Sequence, residues 1–417
     1  MSPLAAVLGA LLSVVAIEHV RLEVGDGTVR EDVTVLLDGD RVVAVGAALA
    51  PPAGATRIDG RGKSLTPGFV DVMTHLGLRE VDLESSTVDQ GLNDTPHEAA
   101  TLVPGFRAAD GFNPLSVWIP IAREEGVTSA VLEPSHGVLA GTGSWVTMEG
   151  TLASTPDPSQ PAAMFGSVGT DGAALAGGAR GGLWLKLREA VADARWYAAN
   201  RAAWEQNRSR ALSLSPLHLE ALQPVLARRL PLLLRANRAA DILAALRFAR
   251  EENLRLVVTG GAEAWLVADA LARAQVPVVL VPSAQVPASF EQVRARDDAA
   301  TLLEAAGVQV VLSCADSSRR RLRQEAGLAV AYGLPRGVAL AAITSRAARA
   351  VGLEARVGTV AVGKRADVVL WSGDPLELSS FAEQVYIAGR LQPKDTRQRK
   401  LVERYLERVP AKDAPRP

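Results

Sequence analysis

Few side chains in this sequence could support metal or nucleophilic chemistry, so their placement decides more than their number. The 417 residues include 5 His and 1 Cys. A metal centre built on imidazole and thiolate would therefore draw on a short supply. His75 stands just after the apolar run Phe69-Val70-Asp71-Val72. Glu133 and His136 fall together in Glu133-Pro134-Ser135-His136-Gly137, directly after a predicted strand, and are candidates for a pocket. Cys314 offers a soft ligand after another predicted strand, although a lone buried Cys serves equally well as core. It cannot form an internal disulfide. Lys186, in Trp184-Leu185-Lys186-Leu187-Arg188-Glu189, has helical surroundings. The loop Gly137 to Gly143 lacks the Lys-Ser or Lys-Thr of a phosphate cradle.

The elements that would position these groups follow from the apolar pattern. Residues 17–65 alternate polar and apolar over short spans, separated by Gly25-Asp26-Gly27 and Asp38-Gly39-Asp40, as strands joined by tight turns do. The same texture returns over 356–395, in Gly358 to Gly363, Ala366 to Trp371 and Val385 to Gly389. Between them, 66–355 alternates strand-like and helix-like segments. Examples are the helix Val117 to Glu125, the strand Val127 to Leu132, the strand Leu230 to Leu234 and the helix Ala240 to Glu252. Repeated βα units of this length predict a (β/α)8 barrel. A strand at Ala162 to Val168 and a long helix from Trp184 to about Asn207 complete the expectation, and 396–417 reads as a docking helix with a tail.

Composition narrows the function classes. With 45 basic and 46 acidic residues the formal net charge is -1, which gives no global pull toward nucleic acid or anionic lipid. At 48% hydrophobic and 22% charged, the chain is not low-complexity disorder. Leu4 to Ile17 is too short to span a bilayer, but Val14 and Ala16 suit a signal peptide covering 1–16, hence a periplasmic or secreted protein. The alternative is a cytoplasmic protein whose first apolar segment packs on the domain.

Several segments resemble one family. Thr66-Pro67-Gly68-Phe69-Val70-Asp71 is similar to the first barrel strand of the amidohydrolase superfamily. Gly358-Thr359-Val360 through Gly363-Lys364-Arg365-Ala366-Asp367-Val368-Val369 resembles its C-terminal return into a β-sandwich. Arg238-Ala239-Ala240-Asp241-Ile242 and Gly261-Ala262-Glu263-Ala264 resemble its imidazolonepropionase-like branch. The resemblance implies an α/β fold, a TIM-like barrel plus a small sandwich made from both chain ends. It also implies a divalent metal at the barrel mouth and hydrolysis of carbon–nitrogen bonds other than peptide bonds. Such enzymes use a His-x-His pair after the first strand, His after the fifth and sixth, and Asp after the eighth.

Against that pattern the chain departs repeatedly. Met73-Thr74-His75 stands in place of the His pair, and Arg235 and Asn237 occupy the fifth-strand positions. Gly260 takes the sixth-strand place and Ala315 the eighth, with Asp316 one residue on. Arginine stays protonated and would repel a divalent cation. Two expectations follow. In the first, the barrel is catalytically degenerate, needs no cofactor, and serves as a ligand-binding protein or as the partner of an active relative or of a second copy. Arg235 then offers a seat for a small anion. In the second, an active hydrolase holds one zinc or other divalent ion with His75 and Asp316, the latter catalytic.

Overall fold

The structure is a computed structural model that describes residues 14–92, 101–314 and 321–406. Five strands open it: β1 Val15–Glu23, β2 Val29–Asp38, β3 Arg41–Gly46, β4 Thr56–Asp59 and β5 Ser64–Pro67. Eight more form the central sheet: β6 Phe69–Thr74, β7 Val127–Leu132, β8 Gly141–Thr147, β9 Pro161–Ser167, β10 Leu232–Ala236, β11 Leu256–Gly260, β12 Val278–Leu280 and β13 Val310–Leu312. The strands β14 Val368–Trp371, β15 Ala382–Ile387 and β16 Arg390–Leu391 return to the first sheet, in the order β16-β15-β14-β5-β1-β2-β3 with β4 on β1. The antiparallel β5–β14 pair, Thr66 opposite Val369, joins the two ends of the chain. The expected barrel and split sandwich are the observed architecture.

Helices cover the outside of the barrel. Between β6 and β7 lies α1 Trp118–Glu124; between β9 and β10 lie α2 Thr170–Leu175, α3 Arg180–Glu205 and α4 Pro216–Leu226. The next crossovers are α5 Ala239–Glu251, α6 Ala268–Ala274 and α7 Ala299–Ala305. After β13 come α8 Leu322–Ala331, α9 Arg336–Ala342 and α10 Ser345–Ala350, and the described chain ends in α11 Arg397–Leu406. Lys186 sits on α3, as its helical surroundings predicted.

Strand alternation builds two cores. Val70, Val72, Val131, Phe165, Leu233, Val257, Val279 and Val311 fill the barrel interior, while their neighbours Leu132, Leu232, Leu234, Val258 and Leu312 face the helices. With a side-chain period of two, Glu133, Arg235 and Ser313 continue the inward row at the C-terminal strand ends. The sandwich core is Ile17, Val20, Leu22, Val35, Leu37, Leu65, Val368 and Leu370. Trp371, fully buried, stacks on Phe69 with ring centroids 5.4 Å apart and donates from Nε1 to Thr66 Oγ1 at 3.0 Å. That contact ties sandwich to barrel.

Four expectations are corrected. The barrel is not eight βα units: β8 runs antiparallel between β7 and β9, with no α-helix on either side of it. The glycines read as a loop at 141 and 143 belong to this strand, because the chain there passes too close to its neighbours for a side chain. A Cβ on Gly143 would lie 1.8 Å from the Leu132 carbonyl oxygen. Gly358 to Gly363 is not a strand, since both end glycines take positive φ, +90° and +87°. The helix α11 forms but does not dock by its apolar stripe: Leu401, Val402, Tyr405 and Leu406 are all exposed. At the other end, Ala16 is buried inside β1, so a cut after it would remove the first two residues of that strand. Residues 1–13 lie outside the described residues.

Candidate functional site

The C-terminal ends of the barrel strands converge on a cavity of about 420 Å³. Met73 and His75 reach it from β6, Glu133 and His136 from the loop after β7, Arg235 and Asn237 from β10, Gly260 from β11, and Cys314 from beyond β13. Residues far apart in sequence are thus brought to one mouth. Ala315, Asp316 and His97 lie outside the described residues. His218 is elsewhere, its Nδ1 accepting from the Gly105 N–H at 3.0 Å. A second cavity of about 440 Å³ adjoins the mouth and shares Glu133, His136 and Arg235 as walls.

Backbone hydrogen bonds fix the loop that carries the acid. The Glu133 N–H donates to the Thr74 carbonyl at 2.8 Å, and Ser135 N–H donates to the Gln90 carbonyl at 2.8 Å. His136 then adopts φ +66°, a left-handed conformation unusual for a residue other than glycine. Glu133 is the hub: its Oε1 accepts from Arg235 Nη2 at 2.9 Å, and its Oε2 lies 3.8 Å from His75 Nε2. Arg79 also lines the cavity, donating from Nε to Gln90 Oε1 at 3.0 Å and lying 3.5 Å from Asp82. Burial holds the His136 pKa below the usual imidazole value, and the nearby guanidinium groups of Arg79 and Arg235 act in the same direction. It is therefore neutral at pH 7.

Below the mouth sits an acid carried inside the first barrel strand. Asp71 is fully enclosed, and burial pushes its carboxyl up to about 6. Hydrogen bonds from Ser313 Oγ at 2.5 Å, Cys314 Sγ at 3.2 Å and the Met73 N–H at 3.3 Å oppose that rise. The signal was present, since an acid inside an otherwise apolar strand needs partners. Arg79, Gln90 and Gln285 were missed because they enter through loops, whose paths no local pattern specifies.

A divalent ion needs three or more neutral or anionic ligands around it. Among the described residues, no group of three His, Cys, Asp or Glu could hold one. Glu133 is engaged by a guanidinium, and Met73 offers only a thioether. At Gly260 the backbone itself is unsuited to a ligand side chain: φ is +84°, and a Cβ would lie 2.6 Å from Asn237 Oδ1. The described mouth residues do not fit a divalent cation.

Comparison with known proteins places this arrangement in a family. The sequence profile of the Amidohydrolase family matches residues 198–391. Imidazolonepropionase of Streptomyces avermitilis is 44% identical over 114 residues, 26% of this chain and 27% of that protein. A 5-methylthioadenosine/S-adenosylhomocysteine deaminase of Desulforudis audaxviator is 49% identical over 61 residues, 14% of each chain. The matched stretches thus span less than a third of these curated relatives. The crystal structure of an amidohydrolase from Thermotoga maritima MSB8 is similar over 90% of this chain and 99% of that one, with 28% identity and a TM-score of 0.81. No helix among the described residues is long and apolar enough to cross a membrane. With the barrel, the split sandwich and these matches in agreement, the chain belongs to the amidohydrolase superfamily.

Proposed function

We propose that this amidohydrolase-family barrel is catalytically degenerate and that its mouth binds a small anionic molecule, a carboxylate being the simplest case. The observation that carries the reading is the Arg235–Glu133 pair with His75 beside it, Arg235 standing where the resemblance calls for a fifth-strand metal ligand. A permanent cation there disfavours a divalent ion and favours an oxyanion, which a guanidinium can bind through two parallel N–H donors. Glu133 holds the guanidinium in place, and Arg79, paired with Asp82 at 3.5 Å, stands at the same wall. Gln285 and Asn237 add polar lining, while Val281 and Met73 provide an apolar side for the rest of the ligand. The cavity volume suits a molecule of metabolite size. Export through a signal peptide remains part of the proposal, tested by sequencing the N-terminus of the protein recovered from the periplasm.

Calorimetric titration with a panel of small carboxylates tests the ligand reading. Saturable binding should weaken at least tenfold in Arg235→Ala and much less in Arg235→Lys, which keeps the charge. Turnover of amide or cyclic amide substrates that requires His75 and Asp316 would overturn it in favour of an active hydrolase.

A further inference from the structure

A separate pocket, of about 620 Å³, lies at the opposite end of the barrel from the mouth, against the sandwich. Its walls include Trp145 at the end of β8, Arg229 and Arg255 just before β10 and β11, and Arg356 and Arg365 on the path into the sandwich. Four arginines share the lining with three carboxylates, Glu149, Asp157 and Glu354, and the pairing between them is uneven. Arg365 is satisfied, with Nη2 2.7 Å from Glu149 and Nε 3.0 Å from Asp367. Asp157 is turned to Ser159 and Gln160, which donate to it at 2.7 to 2.9 Å. Arg229, Arg255 and Arg356 make no ion pair with a carboxylate among the described residues. Arg255 gives one N–H to the Arg349 carbonyl at 2.8 Å, and Arg356 lies over the Trp145 ring at 4.2 Å. The Trp145 Nε1–H is buried with no acceptor.

We propose that this pocket binds a phosphate group, free or carried on a small molecule. Three guanidinium groups reaching one hollow from different elements match a dianion with several oxygens better than a single carboxylate. Burial and the neighbouring Arg365 and Arg41 already lower the Arg356 pKa, a cost that an incoming dianion would offset. The pocket exceeds the size of inorganic phosphate, which leaves room for an organic group beyond it. This site is independent of the mouth and of the function proposed for it.

Isothermal titration at fixed ionic strength with inorganic phosphate, phenyl phosphate and sodium chloride as probes tests the assignment. We expect saturable binding of phosphate-bearing probes and none of chloride. Tighter binding of phenyl phosphate identifies a phosphorylated molecule as the ligand type, and equal binding identifies free phosphate. Arg356→Ala and Arg229→Ala should each weaken binding at least tenfold, while Arg235→Ala at the mouth leaves it unchanged. Arg229 is exposed, so its replacement keeps the fold and the comparison valid. Absence of saturable binding overturns the proposal, as does binding unaffected by Arg229→Ala or abolished by Arg235→Ala.

Discussion

Asp71 is the residue whose environment makes the sharpest solution prediction. Its carboxyl loses a proton near 6 in the folded protein and near 3.9 in the unfolded chain. Between those values the folded state alone holds the proton, so stability falls as pH rises through that window. The unfolding free energy of wild type relative to Asp71→Asn should drop by on the order of 2–3 kcal/mol from about pH 4 to pH 7. Denaturant melts at a series of pH values would measure it, and a constant difference would contradict the assigned environment. Gly260 makes the second prediction at this scale. Its φ of +84° and the 2.6 Å that would separate an added Cβ from Asn237 Oδ1 mean that Gly260→Ala should cost about 1–3 kcal/mol. Adding Asn237→Ala should recover the steric part and leave the backbone part. A neutral Gly260→Ala would show that a ligand side chain could return there without strain.

At the level of elements, β8 separates what the sequence reveals from what it hides. The sandwich strands announce themselves by alternation and by turns such as Asp38-Gly39-Asp40, and the helical crossovers by their apolar spacing. An apolar strand carries no mark of its direction, and glycines 137, 141 and 143 point equally to a loop. Their meaning is tertiary: Gly143 lets β8 lie against β7, and a Cβ there would meet the Leu132 carbonyl at 1.8 Å and Phe165 Cε2 at 2.8 Å. Gly143→Ala should therefore destabilise the protein by about 3 kcal/mol or more. Chemical denaturation reads that loss, and an unchanged midpoint would remove the close approach from the account. The mouth was partly legible for the same reason. Glu133 and Arg235 follow from counting two residues past an inward apolar position, whereas Arg79 and Gln285 depend on loop conformation. Asp316 lies outside the described residues.

For the molecule as a whole, the fold and the mouth point in different directions. Barrel, sandwich and the joining Trp371–Phe69 stack are those of the amidohydrolase superfamily, while the mouth carries Arg235, Met73 and Gly260 where the resemblance calls for ligands. The proposed degeneracy is compatible with the fold, because a barrel interior is stabilised by its own packed layers and not by the residues at the strand ends. The most direct test is the metal content per chain, measured by mass spectrometry on protein purified without chelator and then incubated with equimolar zinc and desalted. The account predicts far less than one divalent ion per chain and a thermal midpoint unchanged by EDTA. One or more tightly held ions per chain, lost together with stability in His75→Ala, would contradict it.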